Sequence, residues 1–431
     1  MDEKKYPHGD ASWFVRARFG MFIHWGTYAM AARHEWVKSH EQMPDEKYRR
    51  YFDRFFPDLY DPRAWARAAR EAGMKYFVIT TKHHEGFCLW DTKHTDYGAP
   101  GTPWGKDLLA PMVQAFRDEG LRVGFYYSLL DWNHPQYTTD KHHPARNDAA
   151  RRAGDARRDM KIYAKYMREQ VRELLTNFGP VDIIWYDFSF PGPDGKGRDD
   201  WESEKLLALT RELQPNILID NRLDLPGAAD FVTPEQFQPV GQPVDADGRP
   251  QVWEACQTFS GSWGYHRDEE TWKSVKQLLW MLIDGVSKSG NLLLNVGPTA
   301  RGEFDARARE RLAGMGEWMR ANGRSIYGCG AAPAEFACPP DCRLTFNAET
   351  KRLYVHVLNW PMKHLWLGGE AYAQRVEYAQ LLHDASEIPL KGLEPWQSEN
   401  SGRVKGAASI GLNLPVRKPW PDIPVIELFL K

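Results

Sequence analysis

The chain has 431 residues, 42% hydrophobic and 26% charged, with 56 Lys and Arg against 58 Asp and Glu, so its formal charge is −2. That balance suits a globular domain of ordinary composition and supplies no basic field to attract nucleic acid or an anionic membrane. The opening "MDEKKYPHGD" has no charged stretch followed by an apolar core, and no apolar run reaches membrane-spanning length, so secretion and membrane insertion are not expected.

In chain order, one grammar repeats: an amphipathic helix, a Gly or Pro break, then an apolar strand. Trp65, Ala68, Ala69 and Ala72 keep helical spacing before Gly73 and "KYFVITT"; Leu108, Leu109, Met112, Val113 and Phe116 do so before Gly120 and "LRVGFYYS". Residues 162–178 precede Gly179 and "VDIIWYD"; Leu206, Leu207 and Leu213 precede "NILIDN"; the run from Val275 to Val286 precedes Gly290 and "NLLLNVG". Glycine is expected at these helix ends because it accepts the left-handed conformation without a Cβ clash. Alternating strands and helices indicate a parallel sheet with crossover helices, either an open doubly wound sheet or a closed barrel. No Gly-rich phosphate loop follows the first strand, so a (β/α)8-like barrel is expected over residues 1–332. From Pro333 the pattern changes to period 2 in "RLYVHVLNW", "ASIGLNLP" and "PVIELFLK", which predicts an antiparallel β-sandwich domain over 333–431.

Five cysteines form no even framework, and Cys338 and Cys342 in "CPPDC" make only a lone C-x3-C, so free thiols in a reducing cytoplasm are expected. The Arg-rich run at 146–158 reads as a solvated helix face.

The chemistry collects where strands end. "GMFIHWG" ends on His24 and Trp25, "YFVITTKHHEGF" on His83, His84 and Glu85, and "VGFYYSLLDW" on Tyr126, Tyr127 and Asp131. "IIWYDF" delivers Asp187, "ILIDNR" Arg222, "DFVTPEQ" Glu235 and "VWEAC" Glu254. A closed barrel brings such ends to one rim. Aromatic faces with His, Tyr, Arg and carboxylates around them suit a neutral polyol. No metal site is expected: adjacent His83 and His84 point to opposite faces of a strand, and HExxH is absent. A G-x-S-x-G elbow is absent too. Paired carboxylates fit glycosidic cleavage, with Asp187 as nucleophile beside Arg222, and Glu235 or Glu254 as the acid.

The motifs "RFGMFIHWG", "EWV" at Glu35–Val37, "KHHEGF", "GFYYS", "WYD", "SWGY" and "GNLLLNVGP", in this order from about Trp13 to Gly328, resemble the α-L-fucosidases of glycoside hydrolase family 29. The resemblance implies a retaining, cofactor-free exo-glycosidase acting on fucosylated oligosaccharides or glycosides, with Asp187 as nucleophile. It implies that His24, Glu35, Trp36, His83, His84, Tyr126 and Arg222 bind the sugar hydroxyls. Trp185 and Trp263 would pack on the ring, Trp263 near the C5 methyl group. "TPEQ" is similar to the segment carrying the acid/base in a branch often selective for α-1,3 and α-1,4 linkages, which favours Glu235; Glu254 stays the alternative. "DFSFPG" departs from the family, where a small residue often follows the nucleophile. Two other functions compete: a retaining glycosidase for a related sugar such as α-L-galactose, and a non-hydrolytic fucose-binding protein. Nothing in the sequence sets an oligomeric state.

Overall fold

Seven short parallel strands carry the first sheet: β1 (Phe19–Ile23), β2 (Tyr76–Lys82), β3 (Arg122–Ser128), β4 (Ile183–Asp187), β5 (Leu218–Ile219), β6 (Glu254–Thr258) and β7 (Asn291–Val296). The computed structural model describes residues 6–392, 396, 408–420 and 422–431. Apart from exposed Arg122, every residue of these strands is buried, as expected where inner and outer faces are both covered. Their spatial order is β5-β4-β3-β2-β1-β7-β6, which leaves a gap between β5 and β6. Residues 230–236 close it. Asp230 N–H donates to Ile219 O at 2.8 Å on the β5 side, while Val232 and Glu235 form parallel bridges to Trp253 and Cys256 on the β6 side. Pro234 has no N–H to give, which keeps this eighth stave of the barrel irregular.

Side chains alternate across the barrel wall. Phe22, Val78, Tyr126, Ile183, Trp185 and Leu293 fill the interior, while Met21, Phe77, Phe125, Ile184 and Leu292 pack outward against the helices. The crossover helices include Pro62–Glu71, Leu109–Asp118, Met160–Asn177, Ser203–Leu213 and Val275–Val286. Asp61 caps the first of these by accepting from Arg63 N and Ala64 N, with Pro62 at N1 where its missing donor costs nothing. Gly73, with φ of 91°, ends that helix in the left-handed region as expected. Gly290 serves differently. It has no positive φ, but a Cβ there would stand 2.2 Å from the Trp253 ring.

The C-terminal strands are β8 (Gly330–Ala331), β9 (Cys342–Asn347), β10 (Arg352–Val357), β11 (His364–Gly368), β12 (Val376–Leu381), β13 (Leu390–Lys391), β14 (Ser409–Asn413) and β15 (Val425–Leu430). They form antiparallel sheets ordered β12-β15-β10-β9-β8 and β11-β14-β13. The period-2 residues Leu353, Val355, Val357, Leu412, Ile426 and Leu428 meet in one core. Because β8 begins at Gly330, residues upstream of 333 already pair with this unit. Trp318 Nε1 donates to Ile423 O at 3.1 Å, tying the last barrel helix (Ala306–Asn322) to the sandwich. Among the described residues no helix is long and apolar enough to cross a membrane.

Candidate active site

Asp187 closes β4 at the C-terminal mouth of the barrel, and each of its oxygens has a donor. Tyr126 Oη donates to Oδ2 at 2.8 Å and Arg222 Nη1 donates to Oδ1 at 3.0 Å. Arg222 Nη2 donates at the same time to Glu235 Oε2 at 2.7 Å. One guanidinium thus binds both carboxylates. Its own pose is set by Thr233 Oγ1, 3.1 Å from Nε, and by the Trp185 ring, whose centroid lies 4.6 Å away. Burial opposes the Arg222 charge, but Asp187, Cys256, Glu235 and Asp220 outweigh it and hold the guanidinium above its usual range.

For Asp187 the balance runs the other way. Burial pushes its carboxyl above the ordinary aspartate range and Glu235 adds to this, although Arg222 and the Tyr126 hydroxyl pull it down. A nucleophilic role for Asp187 would need the ionised form, so activity would then fall as pH drops through this raised pKa. The acid limb of the kcat/KM profile is therefore expected at higher pH than a water-exposed aspartate, about 3.9, would produce. A profile flat down to pH 4 would contradict it.

Two histidines are fixed as acceptors by what they donate to. His24 Nδ1 lies 2.6 Å from Asn295 Oδ1, which only accepts, so the proton sits on Nδ1. His84 Nδ1 lies 2.7 Å from Ser128 Oγ, whose own proton goes to Leu130 O at 2.8 Å. Burial, reinforced by His83, holds both rings well below the usual histidine range and so neutral. Each is left with a bare Nε2 able to accept a hydroxyl proton; that of His84 stands 4.0 Å from Asp187 Oδ2.

These groups line a small chamber of about 40 Å³ at the barrel mouth. His24, Trp36, His83, His84, Tyr126, Trp185, Asp187, Glu235 and Trp263 all face it. Glu35 stands in the outer groove beyond, where its Oε2 accepts Gly264 N–H at 2.7 Å and secures the loop carrying Trp263. That groove shares Trp36 and Trp263 with the chamber and adds His40, His142, Gln236 and Lys273.

A family model described as Alpha-L-fucosidase matches residues 2–324. The chain belongs to the α-L-fucosidase family. It is a glycoside hydrolase, of a family that acts on fucosylated substrates. Isoenzyme 1 of the Paenibacillus thiaminolyticus α-L-fucosidase has 45% identity and a TM-score of 0.90, with 98% of each chain covered. A Bacteroides thetaiotaomicron GH29 α-L-fucosidase, solved as a trapped covalent intermediate with 2-fluoro-fucosyl fluoride, has 27% identity and a TM-score of 0.82, with each chain covered fully at 100%. Human plasma α-L-fucosidase is 29% identical over 394 residues, covering 85% of this chain and 79% of its own.

Three features of this fucosidase depart from the sequence expectations. Glu254 does not reach the chamber. It begins β6 rather than ending a strand, and lies fully buried at the closed end of the barrel, where Tyr76 Oη donates to its Oε2. Burial raises its pKa to about 8. Phe22 and Cys256 line the chamber without having been singled out, beside Phe188, the residue that sets "DFSFPG" apart. Phe188 has φ of 83°, a strained conformation for a bulky residue. Its ring is clamped by Trp36, His84, His142 and Phe190, with centroids 5.0–5.3 Å away. The Arg-rich run is a solvated face only in part: residues 147–150 and Arg157 are exposed, but half-buried Arg146, Arg151 and Arg152 bond to Ser39 O, Tyr137 O and Arg146 O, bracing the loop that presents His142. Among the described residues no cluster of His, Cys, Asp and Glu is arranged to hold a metal.

Proposed function

We propose that the chain is a retaining exo-α-L-fucosidase, with Asp187 as nucleophile and Glu235 as acid/base. The observation that carries this is Arg222, which holds both carboxyls on one guanidinium beside a chamber lined by histidines and aromatic rings. Two carboxyls gathered this closely suit the retaining arrangement, which asks for about 5–5.5 Å between them. The trapped fucosyl intermediate of the Bacteroides relative is in keeping with it.

Asp187 attacks the anomeric carbon while Glu235 delivers a proton to the departing oxygen, so the glycosidic C–O bond breaks as the ester C–O bond forms. Glu235 then takes a proton from water, which attacks the same carbon and releases Asp187. The two carboxyls supply both nucleophile and proton, so the scheme calls on no metal or organic cofactor. His24 and His84 accept hydroxyl protons through Nε2, and Trp185 and Trp263 cover the ring carbons. Phe22, Cys256 and Trp263 make the wall apolar, which favours the C5 methyl of fucose over the CH₂OH of α-L-galactose. The outer groove opens beside Glu235 and receives the leaving group, a fucosylated oligosaccharide or glycoside; the "TPEQ" setting of Glu235 supports a preference for α-1,3 and α-1,4 linkages. Five free cysteines support the cytoplasmic location expected from the sequence.

Hydrolysis of an aryl α-L-fucoside followed by proton NMR tests this. The α-anomer of L-fucose is expected as first product, before mutarotation. The β-anomer appearing first would mean inversion, and faster cleavage of the aryl α-L-galactoside would reassign the sugar. Binding without any release would leave only the fucose-binding alternative.

A further inference from the structure

One buried amide belongs to neither catalytic carboxyl, yet it meets sugar recognition at two points. Asn295 follows Leu293 on the inward face of β7, opposite Phe22 of β1, and is almost wholly buried. Its Nδ2 donates to the main-chain oxygen of Trp263 at 2.6 Å, and its Oδ1 faces His24 Nδ1 at 2.6 Å. The direction of this relay is forced. A main-chain carbonyl can only accept, so the amide nitrogen must turn to Trp263. The amide oxygen then turns to His24, and the imidazole proton must sit on Nδ1. The bare Nε2 of His24 is therefore a consequence of where the Trp263 loop sits. The His24 and Trp263 rings are themselves in contact, with centroids 5.1 Å apart and planes 32° from parallel.

The loop lies on β7 as closely as a backbone can. A Cβ at Gly297, just past the strand, would stand 2.6 Å from Gly264 C and from Tyr265 N and 2.8 Å from Trp263 O, so glycine is what admits the loop. Glu35 Oε2 accepts the Gly264 N–H at 2.7 Å, a second pin on the same segment. The Trp263 ring in turn packs on Phe22, centroids 5.9 Å apart, in the chamber wall. We propose that Asn295 is a positioning residue for sugar specificity: one amide holds the His24 acceptor and the Trp263 wall in fixed register, so that a sugar whose hydroxyl meets His24 presents its C5 substituent to Trp263. This rests on the reading that Trp263 faces C5 of fucose, and it extends that reading to a residue whose amide nitrogen and oxygen are both engaged within the protein.

The test compares kcat/KM for an aryl α-L-fucoside and the matching aryl α-L-galactoside, which differ only at C6. An apolar wall rejects the added hydroxyl by about 10²-fold at best, so a wall out of register gives back a measurable part of that. Asn295→Ala is expected to shift the fucoside-to-galactoside ratio about fivefold or more toward the galactoside. KM for both sugars is expected to rise about threefold or more, because both carry the hydroxyl that His24 accepts. A merely structural role would slow both sugars alike, and an unchanged ratio overturns the proposal. In a Trp263→Ala background the same substitution is expected to leave the ratio within about twofold, since the wall it aligns is gone; a full-sized shift there also overturns it. If Asn295→Ala does not fold, Gly297→Ala pushes the loop off β7 without altering the amide and is expected to move the ratio in the same direction; an unmoved ratio overturns the role. A 15N-histidine NMR spectrum, with His24 assigned by its loss in His24→Gln, reads the relay without any substrate. His24 is expected to carry its proton on Nδ1 in wild type and to divide between tautomers in Asn295→Ala; the same tautomer in both overturns the relay. The two failures stay apart. Wild type preferring the galactoside would discard fucose as the sugar, while the shift between wild type and variant, and the histidine spectrum, still decide the role of Asn295.

Discussion

Replacing Asp187 with Gly is expected to reduce turnover of an aryl α-L-fucoside by about 10⁴-fold or more while leaving the fold intact. The size follows from the role: without a nucleophile at the anomeric carbon, only binding and the remaining acid act on the bond. The Tm should not fall, because the carboxylate is itself buried and strained against that burial, and Arg222 keeps Glu235 as a partner. The variant also leaves a space where the carboxyl stood. Azide entering that space attacks from the face Asp187 used, displaces the phenolate in a single step, and yields the β-L-fucosyl azide. Restored phenol release with that inverted product identifies Asp187 as the attacking group. Undiminished turnover in Asp187→Gly would remove it from the mechanism, and an α-azide would mean that another residue still forms the covalent intermediate.

The rim of the barrel was legible because each element announces itself locally. Apolar strands such as "VDIIWYD" end abruptly on a polar residue, and parallel strands ending together put Tyr126, Asp187 and Glu235 at one mouth. Arg222 was visible as a charge just past a strand, although its grip on both carboxylates was not. What sequence cannot show is where a strand begins in register. "VWEAC" looks like a strand approaching its end, since Gln257 and Thr258 are polar; in the barrel those two residues complete β6, and Glu254 becomes its first residue rather than its last. Four residues of register moved a carboxylate from the rim to the floor. Phe188 stood out in "DFSFPG", but its left-handed backbone and the rings packed around it come from elements far apart in the chain, which no local pattern encodes. Asn295 did leave a signal, a lone amide in the apolar run "NLLLNVG", and it proves to set the tautomer of His24.

Glu235→Gln should produce the complementary defect. For fucosides with poor leaving groups, kcat/KM is expected to drop about 10²–10⁴-fold, because the departing oxygen receives no proton. A good leaving group such as dinitrophenolate needs none, so the first step survives and the fucosyl-enzyme accumulates, seen as a burst of phenol followed by slow turnover. Azide relieves the second step because it attacks without a base, and the product is the α-L-fucosyl azide, opposite in configuration to that from Asp187→Gly. The geometry adds a condition. In the free enzyme Glu235 is held by Arg222 and must release it to reach the glycosidic oxygen. Its side chain is 41% exposed, on the irregular stave after Pro234, so it has room to swing, whereas Asp187 at 12% is fixed. On the proposed scheme, as Glu235 leaves, Arg222 would keep only Asp187, concentrating its charge there when attack begins. Wild-type rates for Glu235→Gln on poor leaving groups, or a β-azide, would transfer the acid role elsewhere. The opposite configurations of the two azides distinguish nucleophile from acid/base without any assumption about linkage.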